Sequence, residues 1–284
     1  MYTTLLTPAE LARHIDDPEW VVLDCRHELM NPDAGRAGYA IGHIQGAQFA
    51  DIESALSGAK KGADGVFRGR HPLPERAAFI ETLRGWGIHP HTQVVAYDAH
   101  GGMFAARLWW MLRWVGHSAV AVLDGGLAAW LAQALPMSGD IPARERGTIV
   151  EAVALATTVS SRDVLDNLES HAKTMVDARG PDRFRGENET MDPIGGHIPG
   201  AKNRFFKDNL LADGRFKSAA QLKADFAPIV ADSAQAIMQC GSGVTACHNL
   251  LALEVAGLPG AALYPGSWSE WCADSARPVA TGAT

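Results

Sequence analysis

Short, mainly apolar runs alternate along the chain with segments of helical periodicity. Such runs, three or four residues long, are typical of strands that are buried on both faces of a parallel sheet. We predict five strands of this kind, at Trp20–Leu23, Val94–Tyr97, Val120–Leu123, Thr174–Val176 and Ala236–Met238. Because the runs alternate with helical segments, the pattern indicates an α/β architecture with parallel sheets covered by helices.

Two helices are predicted where apolar residues recur at helical spacing and form a single stripe. The first follows Gly102, with a stripe made of Phe104, Leu108, Met111 or Leu112, and Val115. The second follows Gly243, with a stripe made of Val244, Cys247, Leu251 and Val255.

Four short motifs occur in the same order in each half of the chain. The pairs are VVLDCR (21–26) with TMVDAR (174–179), GHIQGA (42–47) with GHIPGA (196–201), QVVAYD (93–98) with QAIMQC (235–240), and LDGGLAAW (123–130) with YPGSWSEW (264–271). One such match carries little weight, but four in register indicate a duplication. The chain is therefore predicted to hold the same α/β domain twice.

The domain boundaries follow from this repeat. A stretch rich in proline, glycine and charge, with no apolar period, separates the halves and predicts a linker over residues 138–150. The domains are then residues 1–137 and 151–284, both of ordinary size. Residues 57–74 have no counterpart in the second half and are interpreted as a long loop of the first domain.

Composition excludes several classes of function. The chain has 284 residues, a net charge of −7 and no apolar segment of the length that a membrane span needs, so nucleic-acid and membrane binding are not expected. Four cysteines are too few for a disulfide scaffold, and the first residues show no secretory signal. The expected location is the cytoplasm, with reduced thiols.

Cys240 carries the clearest chemical signal. It ends a predicted buried strand and is followed by Gly-Ser-Gly and then by a helix. A glycine-rich loop that opens into a helix directs backbone N–H groups and the positive end of the helix dipole inward, which favours an anion at that point. A thiol in this position is expected to exist largely as thiolate, the nucleophilic form. We predict that Cys240 is a nucleophile.

The string CGSGVTA, preceded by VDAR, RFRG and GHIPGA and followed by a Gly-Ser-Trp motif, resembles the rhodanese superfamily. The resemblance covers residues 5 to about 272 and is strongest to the two-domain branch, the thiosulfate and 3-mercaptopyruvate sulfurtransferases. It implies tandem rhodanese-like α/β domains, each a parallel β-sheet flanked by helices. It also implies an active site in the C-terminal domain at the interdomain cleft, with Asp98 replacing the cysteine in the N-terminal domain.

For this chain the family mechanism implies that Cys240 takes a sulfur atom from a donor as a persulfide and passes it to a thiophilic acceptor. The acceptor is expected to be a thiol or dithiol, including thioredoxin-like proteins, and no metal or organic cofactor is required. The amides of the loop residues Gly241, Gly243, Val244 and Thr245 would hold the persulfide anion. Arg183, in the RFRG motif, matches the arginine that contacts the donor anion in the family.

The loop of this chain is neutral, as in the mercaptopyruvate enzymes, so 3-mercaptopyruvate is the leading donor. The second arginine of those enzymes, nine residues after the first, is replaced by Asp192. Arg204, Arg68 and Arg70 are alternative sources of a second cation. A Ser–His–Asp relay is also implied for some members, and by position Ser242, His43 and an acid such as Asp33 would form it. His43 is equally open to a structural interpretation, because His197 occupies the same motif in the other half.

Three alternatives remain from the sequence. Thiosulfate is the second candidate donor. A carrier module that receives persulfide from a partner protein without turnover is a candidate from another functional class. A cysteine-dependent phosphatase is disfavoured, because Ala246 stands where those enzymes need an arginine.

Overall fold

The computed structural model describes residues 1–283, and its internal contacts divide the chain into two compact units. The first unit contains residues 1–58, 74–155 and 211–216, and the second contains 59–73, 156–210 and 217–284. In the described part of the chain, no helix is long and apolar enough to cross a membrane.

The strands of the first unit are β1 (Leu5–Leu6), β2 (Trp20–Asp24), β3 (His43–Ile44), β4 (Gln48–Phe49), β5 (Gln93–Tyr97), β6 (Val120–Leu123) and β7 (Met137–Ser138). Five of them form a parallel sheet in the order β1-β6-β5-β2-β4. Its helices are α1 (Pro8–Ala12), α2 (Asp33–Ile41), α3 (Arg76–Gly85), α4 (Ala105–Trp114) and α5 (Gly126–Ala132). Strands β3 and β7 form a separate antiparallel pair.

The second unit repeats this plan with the strands β8 (Thr174–Asp177), β9 (Lys202–Asn203), β10 (Ala236–Gln239) and β11 (Ala262–Leu263). They form a four-stranded parallel sheet in the order β11-β10-β8-β9. Its helices are α6 (Ser161–Ser170), α7 (Pro181–Arg185), α8 (Ala219–Phe226), α9 (Thr245–Val255) and α10 (Ser267–Trp271), with short 3₁₀ helices at Phe206–Asn209 and Ser233–Gln235. Residue Thr158 bridges to Leu263 in parallel, as β1 does to β6.

The five predicted strands are confirmed, and all belong to the parallel sheets. The two predicted helices are confirmed as α4 and α9, but their burial is not limited to one apolar stripe. Eight of the ten residues of α4 and nine of the eleven residues of α9 are buried. Each helix is enclosed by its domain on nearly all sides, and the buried residues include the polar Arg107, His248 and Asn249.

Two segments differ from the sequence interpretation. Residues 59–73, interpreted as a loop of the first domain, group with the second unit, which places Arg68, Arg70 and His71 there. The predicted linker is attached to the first unit by hydrogen bonds of the Arg144 guanidinium to the carbonyls of Pro18 and Trp20 and of the Gly147 amide to the carbonyl of Arg84.

Candidate active site

Cys240 lies directly after β10, in the loop that leads into α9. Cys240 is buried, and hydrogen bonds from α10 hold the backbone of Cys240 and of Gly241. The amide of Trp268 donates to the Cys240 carbonyl at 2.9 Å, and the amide of Ser269 donates to the Gly241 carbonyl at 2.9 Å. Two consecutive carbonyls held in this way give the loop one defined conformation.

Two glycines make the loop possible. Gly243 has a φ of +76°, and a methyl group there would lie 2.4 Å from the Pro265 carbonyl oxygen. A side chain at this position would therefore meet both backbone strain and a clash. Val244 follows as the N-cap of α9 and Thr245 as its first residue, both buried. The loop residues predicted from the sequence are thus brought together around Cys240.

Ser267 holds the cysteine from the opposite side. Its hydroxyl accepts a hydrogen bond from the Cys240 amide at 3.1 Å and donates one to the Tyr264 carbonyl at 2.8 Å. The residue has a φ of +54°, in the left-handed region that non-glycine residues seldom occupy. Strain of this kind is retained where surrounding contacts impose it, and here the contact is with the backbone of Cys240.

The loop serine has a histidine partner. Ser242 Oγ lies 2.8 Å from His71 Nδ1, and both residues are buried. A proton can pass between a serine and a histidine at this distance. The structure places His71, which the sequence analysis did not single out, against Ser242, and the role of His43 as a relay partner stays a prediction.

His43 occupies a structural turn of the first unit. Its Nδ1 lies 2.8 Å from the Tyr39 carbonyl oxygen, its Nε2 lies 3.1 Å from the Asp140 carbonyl oxygen, and its ring stacks on Tyr39. His197 makes two equivalent contacts in the second unit, with Nδ1 at 2.8 Å from the Phe184 carbonyl oxygen and the ring stacked on Phe184, whereas its Nε2 is buried without a hydrogen-bond partner among the described residues. The repeated Gly-His-Ile motif is therefore a turn that both domains share. Asp33, the suggested third member of the relay, is exposed in the first turn of α2.

Arg183 is anchored by two carboxylates. Its Nε and Nη2 bind the two oxygens of Glu189 at 3.0 and 2.9 Å, and Nη2 also binds Asp192 Oδ2 at 3.1 Å. Burial opposes ionisation of Glu189, but hydrogen bonds from the Met191 amide and from Arg183 outweigh it, and the pKa of Glu189 lies below its ordinary value. At Asp192 burial prevails and raises the pKa, against the attraction of Arg70 and Arg183.

Arg70 provides the second guanidinium at this position. Its Nη1 forms a short ion pair with Asp192 Oδ1. A methyl group on Gly241 would lie 2.7 Å from Arg70 Nη2 and 3.7 Å from Arg183 Nη1, so both guanidiniums face the residue next to Cys240. The other two suggested cations are bound elsewhere: Arg204 pairs with Asp225, and Arg68 pairs with Asp64.

A third arginine supports the site from within the domain. Arg179 binds both oxygens of Asp177 through Nε and Nη2, and Nη2 also donates to the Gly196 carbonyl at 2.6 Å. Burial alone would lower the pKa of Arg179, but attraction to Asp177, Glu189 and Cys240 raises it above its ordinary value. A permanent cation therefore acts on Cys240 from the interior.

Two of the other cysteines, Cys25 and Cys272, lie in environments that disfavour a thiolate. Burial, followed by the charges of Asp98 and Asp24, raises the pKa of Cys25 well above its ordinary value. Burial also raises the pKa of Cys272, to about 11. Cys247 is fully buried on α9, with its sulfur 3.3 Å from the Gly243 carbonyl oxygen.

Three residues at this site were not predicted as such: His71 and Ser267 were not named, and Arg70 was one of three alternatives. The available signal was the segment 57–74, a loop with histidine and arginine that only one half of the repeat contains. An insertion in one copy of a duplicated domain is a sign of function specific to one site.

Comparison with known proteins agrees with this architecture. The model of the rhodanese-like domain matches the chain twice, at residues 7–133 and 160–274. A Pseudomonas aeruginosa protein named "Probable 3-mercaptopyruvate sulfurtransferase" is 44% identical over 282 residues, which are 98% of each chain. The thiosulfate sulfurtransferase of Mus musculus is 35% identical over 95% of this chain and 92% of its own.

Solved structures of sulfurtransferases are also similar to this chain. The 3-mercaptopyruvate sulfurtransferase of Leishmania major superposes with a TM-score of 0.86 and 31% identity, over 98% of this chain and 76% of that one. SseA from Escherichia coli superposes with a TM-score of 0.81 and 34% identity, over 94% of this chain and all of that one. This chain therefore belongs to the rhodanese superfamily and, within it, to the two-domain sulfurtransferases.

Proposed function

We propose that this enzyme transfers sulfur from 3-mercaptopyruvate to a thiol acceptor through a persulfide on Cys240. The observation that carries the proposal is the arrangement around the loop: the two guanidiniums of Arg70 and Arg183 face Gly241, and Ser242 contacts His71. An anion-binding group and a proton-transfer group thus flank one cysteine. Mercaptopyruvate needs both, because it carries a carboxylate and its carbon–sulfur bond breaks to leave a carbanion.

The transfer balances without a cofactor. The Cys240 thiolate attacks the donor sulfur, a sulfur–sulfur bond forms, and the electrons of the carbon–sulfur bond pass to the pyruvate enolate. The proton of the donor thiol goes to the methylene carbon, which yields pyruvate and the persulfide anion. Ser242 and His71 are placed to carry that proton, since histidine titrates near neutral pH.

The negative charge that accumulates on sulfur has a cationic and dipolar surrounding. Arg179 attracts the charge of Cys240, and the loop amides together with the N-terminus of α9 add positive potential. An acceptor thiolate then attacks the outer sulfur and restores the Cys240 thiolate. We propose a small thiol or a thioredoxin-like dithiol as the acceptor, and the two half-reactions predict ping-pong kinetics.

Thiosulfate is the second candidate donor. Its transfer needs no proton at carbon, because sulfite leaves with the electrons of the sulfur–sulfur bond. The two arginines favour it as an anion, whereas the Ser242–His71 pair would have no role. The cytoplasm is the proposed location, and a carrier that receives persulfide from another protein is the remaining alternative.

The test is the intact mass of the reduced protein after exposure to each donor. We expect a gain of one sulfur atom from 3-mercaptopyruvate in the wild-type protein and in Cys247→Ala, and no gain in Cys240→Ser. Cys247 is the matched control because it lies seven residues further along, buried in the same domain. Loading by thiosulfate alone would favour the second donor, and loading by neither would favour the carrier.

A further inference from the structure

Asp192 lies between two arginines, Arg70 and Arg183. Its side chain is 3% exposed, and each carboxylate oxygen pairs with a different guanidinium, Oδ1 with Arg70 and Oδ2 with Arg183. Glu189 occupies a further edge of Arg183 and is 4% exposed. The acid thus fixes the distance between two like charges that would otherwise repel each other.

The guanidiniums of Arg70 and Arg183 both approach the residue next to Cys240. Arg70 Nη2 and both terminal nitrogens of Arg183 lie near the Cβ position of Gly241, while Asp192 pairs with Arg70 Nη1 and Arg183 Nη2. Within the described residues Arg70 Nε is buried and makes no hydrogen bond. A donor carboxylate can therefore be held by two arginines while Asp192 stays in place behind them.

The charges at this position cancel. Arg70 and Arg183 contribute two positive charges, and Glu189 and Asp192 contribute two negative ones. The further pair of Arg179 and Asp177 is also balanced. These side chains consequently offer hydrogen-bond donors for an anion and add no net charge of their own to the potential of the loop amides and of α9. A ligand that brings a second negative charge gains little attraction here and is repelled by Asp192.

We propose that Asp192 is a specificity-determining residue that selects singly charged donors over doubly charged ones. The inference rests on the proposed function and adds a reason for the donor class. A mercaptocarboxylate carries one charge and a neutral thiol, whereas thiosulfate is a compact dianion. The loop itself contains no charged residue between Cys240 and α9, so the acid behind the arginines sets the charge that a donor meets.

The test compares kcat/KM for 3-mercaptopyruvate and thiosulfate in the wild-type enzyme and in Asp192→Asn. Removing one negative charge from this buried position should raise the ratio of thiosulfate to mercaptopyruvate by about tenfold, and salt should reduce the change. Glu187→Gln is the matched control. It removes the same charge from the same segment, at an exposed pair with Arg185, and should change the ratio by less than about twofold.

A double variant separates charge from geometry. Arg70→Gln with Asp192→Asn removes both partners of one ion pair and keeps the net charge, so the ratio should return to within about threefold of the wild-type value. If Asp192→Asn alone fails to fold, Arg70→Gln alone gives the opposite test, because it leaves Asp192 without one of its two cations and should lower the ratio of thiosulfate to mercaptopyruvate. A ratio that stays at the wild-type value in a folded Asp192→Asn enzyme would overturn the inference, as would an equal loss for both donors.

Failure of the proposed function gives a different result. If neither donor adds a sulfur atom to Cys240 in the wild-type enzyme or in either variant, the small-molecule reaction is wrong. If loading occurs and only the donor ratio is unchanged, the reaction stands and the role of Asp192 falls.

Discussion

The two domains place different groups at the carboxyl ends of equivalent strands. In the first unit the residue after β5 is Asp98, whose carboxylate accepts four backbone hydrogen bonds. Oδ1 receives the amides of His100 and Gly102, and Oδ2 receives those of Phe104 and Ala105, at 2.7 to 2.9 Å. In the second unit the residue after β10 is Cys240. One loop therefore holds an anion that belongs to the protein, and the other presents a thiol.

This difference shows what the loop is built to do. A loop that opens into a helix directs several amides to one point, and Asp98 demonstrates that an anion is stable there. In the second unit α9 begins five residues after Cys240, compared with seven from Asp98 to α4. The loop after β10 is thus the shorter version of the same arrangement, with a cysteine where the first unit has a carboxylate.

The scaffolds beneath the two loops are nearly the same. Arg26 binds both oxygens of Asp24 and the Gly42 carbonyl, as Arg179 binds Asp177 and the Gly196 carbonyl. The residue that closes each loop has a left-handed backbone, with φ of +56° at Gly126 and +54° at Ser267. The specialisation of the second unit therefore lies in a few side chains of the loop and in residues 59–73, a segment without a counterpart in the other half of the repeat.

The largest effect should come from removing the Asp98 carboxylate that the loop of the first unit holds. Asp98→Ala leaves four amides without their carboxylate, and we expect a loss of about 3 kcal/mol in the free energy of unfolding. Urea titration measures this loss, and the free energy of unfolding of Asp98→Asn should lie between those of Asp98→Ala and the wild-type protein. Turnover by the folded fraction should stay within about twofold of wild type. A large loss of turnover with unchanged stability would mean that Asp98 acts in catalysis.

The next largest effect should come from the Ser242–His71 pair at the loop of the second unit. His71→Asn and Ser242→Ala should each reduce kcat with 3-mercaptopyruvate by about 100-fold and leave kcat with thiosulfate within about threefold, because only the first reaction protonates carbon. Steady-state kinetics with both donors measure this. His43→Asn is the control, which should lower stability and leave the ratio of the two rates unchanged. Equal losses with both donors would contradict the relay.

Ser267 tests why the second domain keeps a strained serine where the first has glycine. Ser267→Gly relieves a strain of about 1 kcal/mol and removes a hydrogen bond of similar strength, so stability should change little. Because the Cys240 amide loses its partner, kcat should fall by about tenfold with both donors. Ser267→Ala keeps the strain and should be the less stable variant. An unchanged kcat in both variants would limit Ser267 to a structural role.

The smallest effect concerns Glu189, the acid that Arg179 contacts in addition to Asp177. Arg179 lies 3.6 Å from Glu189, and the pKa of Glu189 is lowered in the folded state. Its stabilising contribution is therefore present above the ordinary pKa of 4.5 and is lost as the pH falls through the lower folded value. Glu189→Gln should lower the free energy of unfolding by about 1 kcal/mol at pH 7, and the difference from wild type should shrink in acid. A constant difference across pH would exclude this ionisation as the cause.

The sequence by itself determined the parts that depend on local pattern. The apolar runs located five of the nine described strands of the parallel sheets and missed the two-residue strands β1, β4, β9 and β11, and the four ordered motifs showed the duplication. The Cys-Gly-Ser-Gly string before an apolar helix located the loop that the structure has after β10. These features could be predicted because strand burial, a glycine turn and a helix start each leave a signal within a few residues.

Only the tertiary structure decided which distant residues meet at that loop. His71 contacts Ser242 across 171 residues of chain, and Arg70 pairs with Asp192 across 122. Periodicity carries no information about where a long loop packs, so residues 59–73 were assigned to the first domain, although they group with the second unit, and His71 was not named as a neighbour of Ser242. The interaction of Asp192 with two arginines is likewise invisible in sequence, because the effect of a charge depends on its neighbours in space.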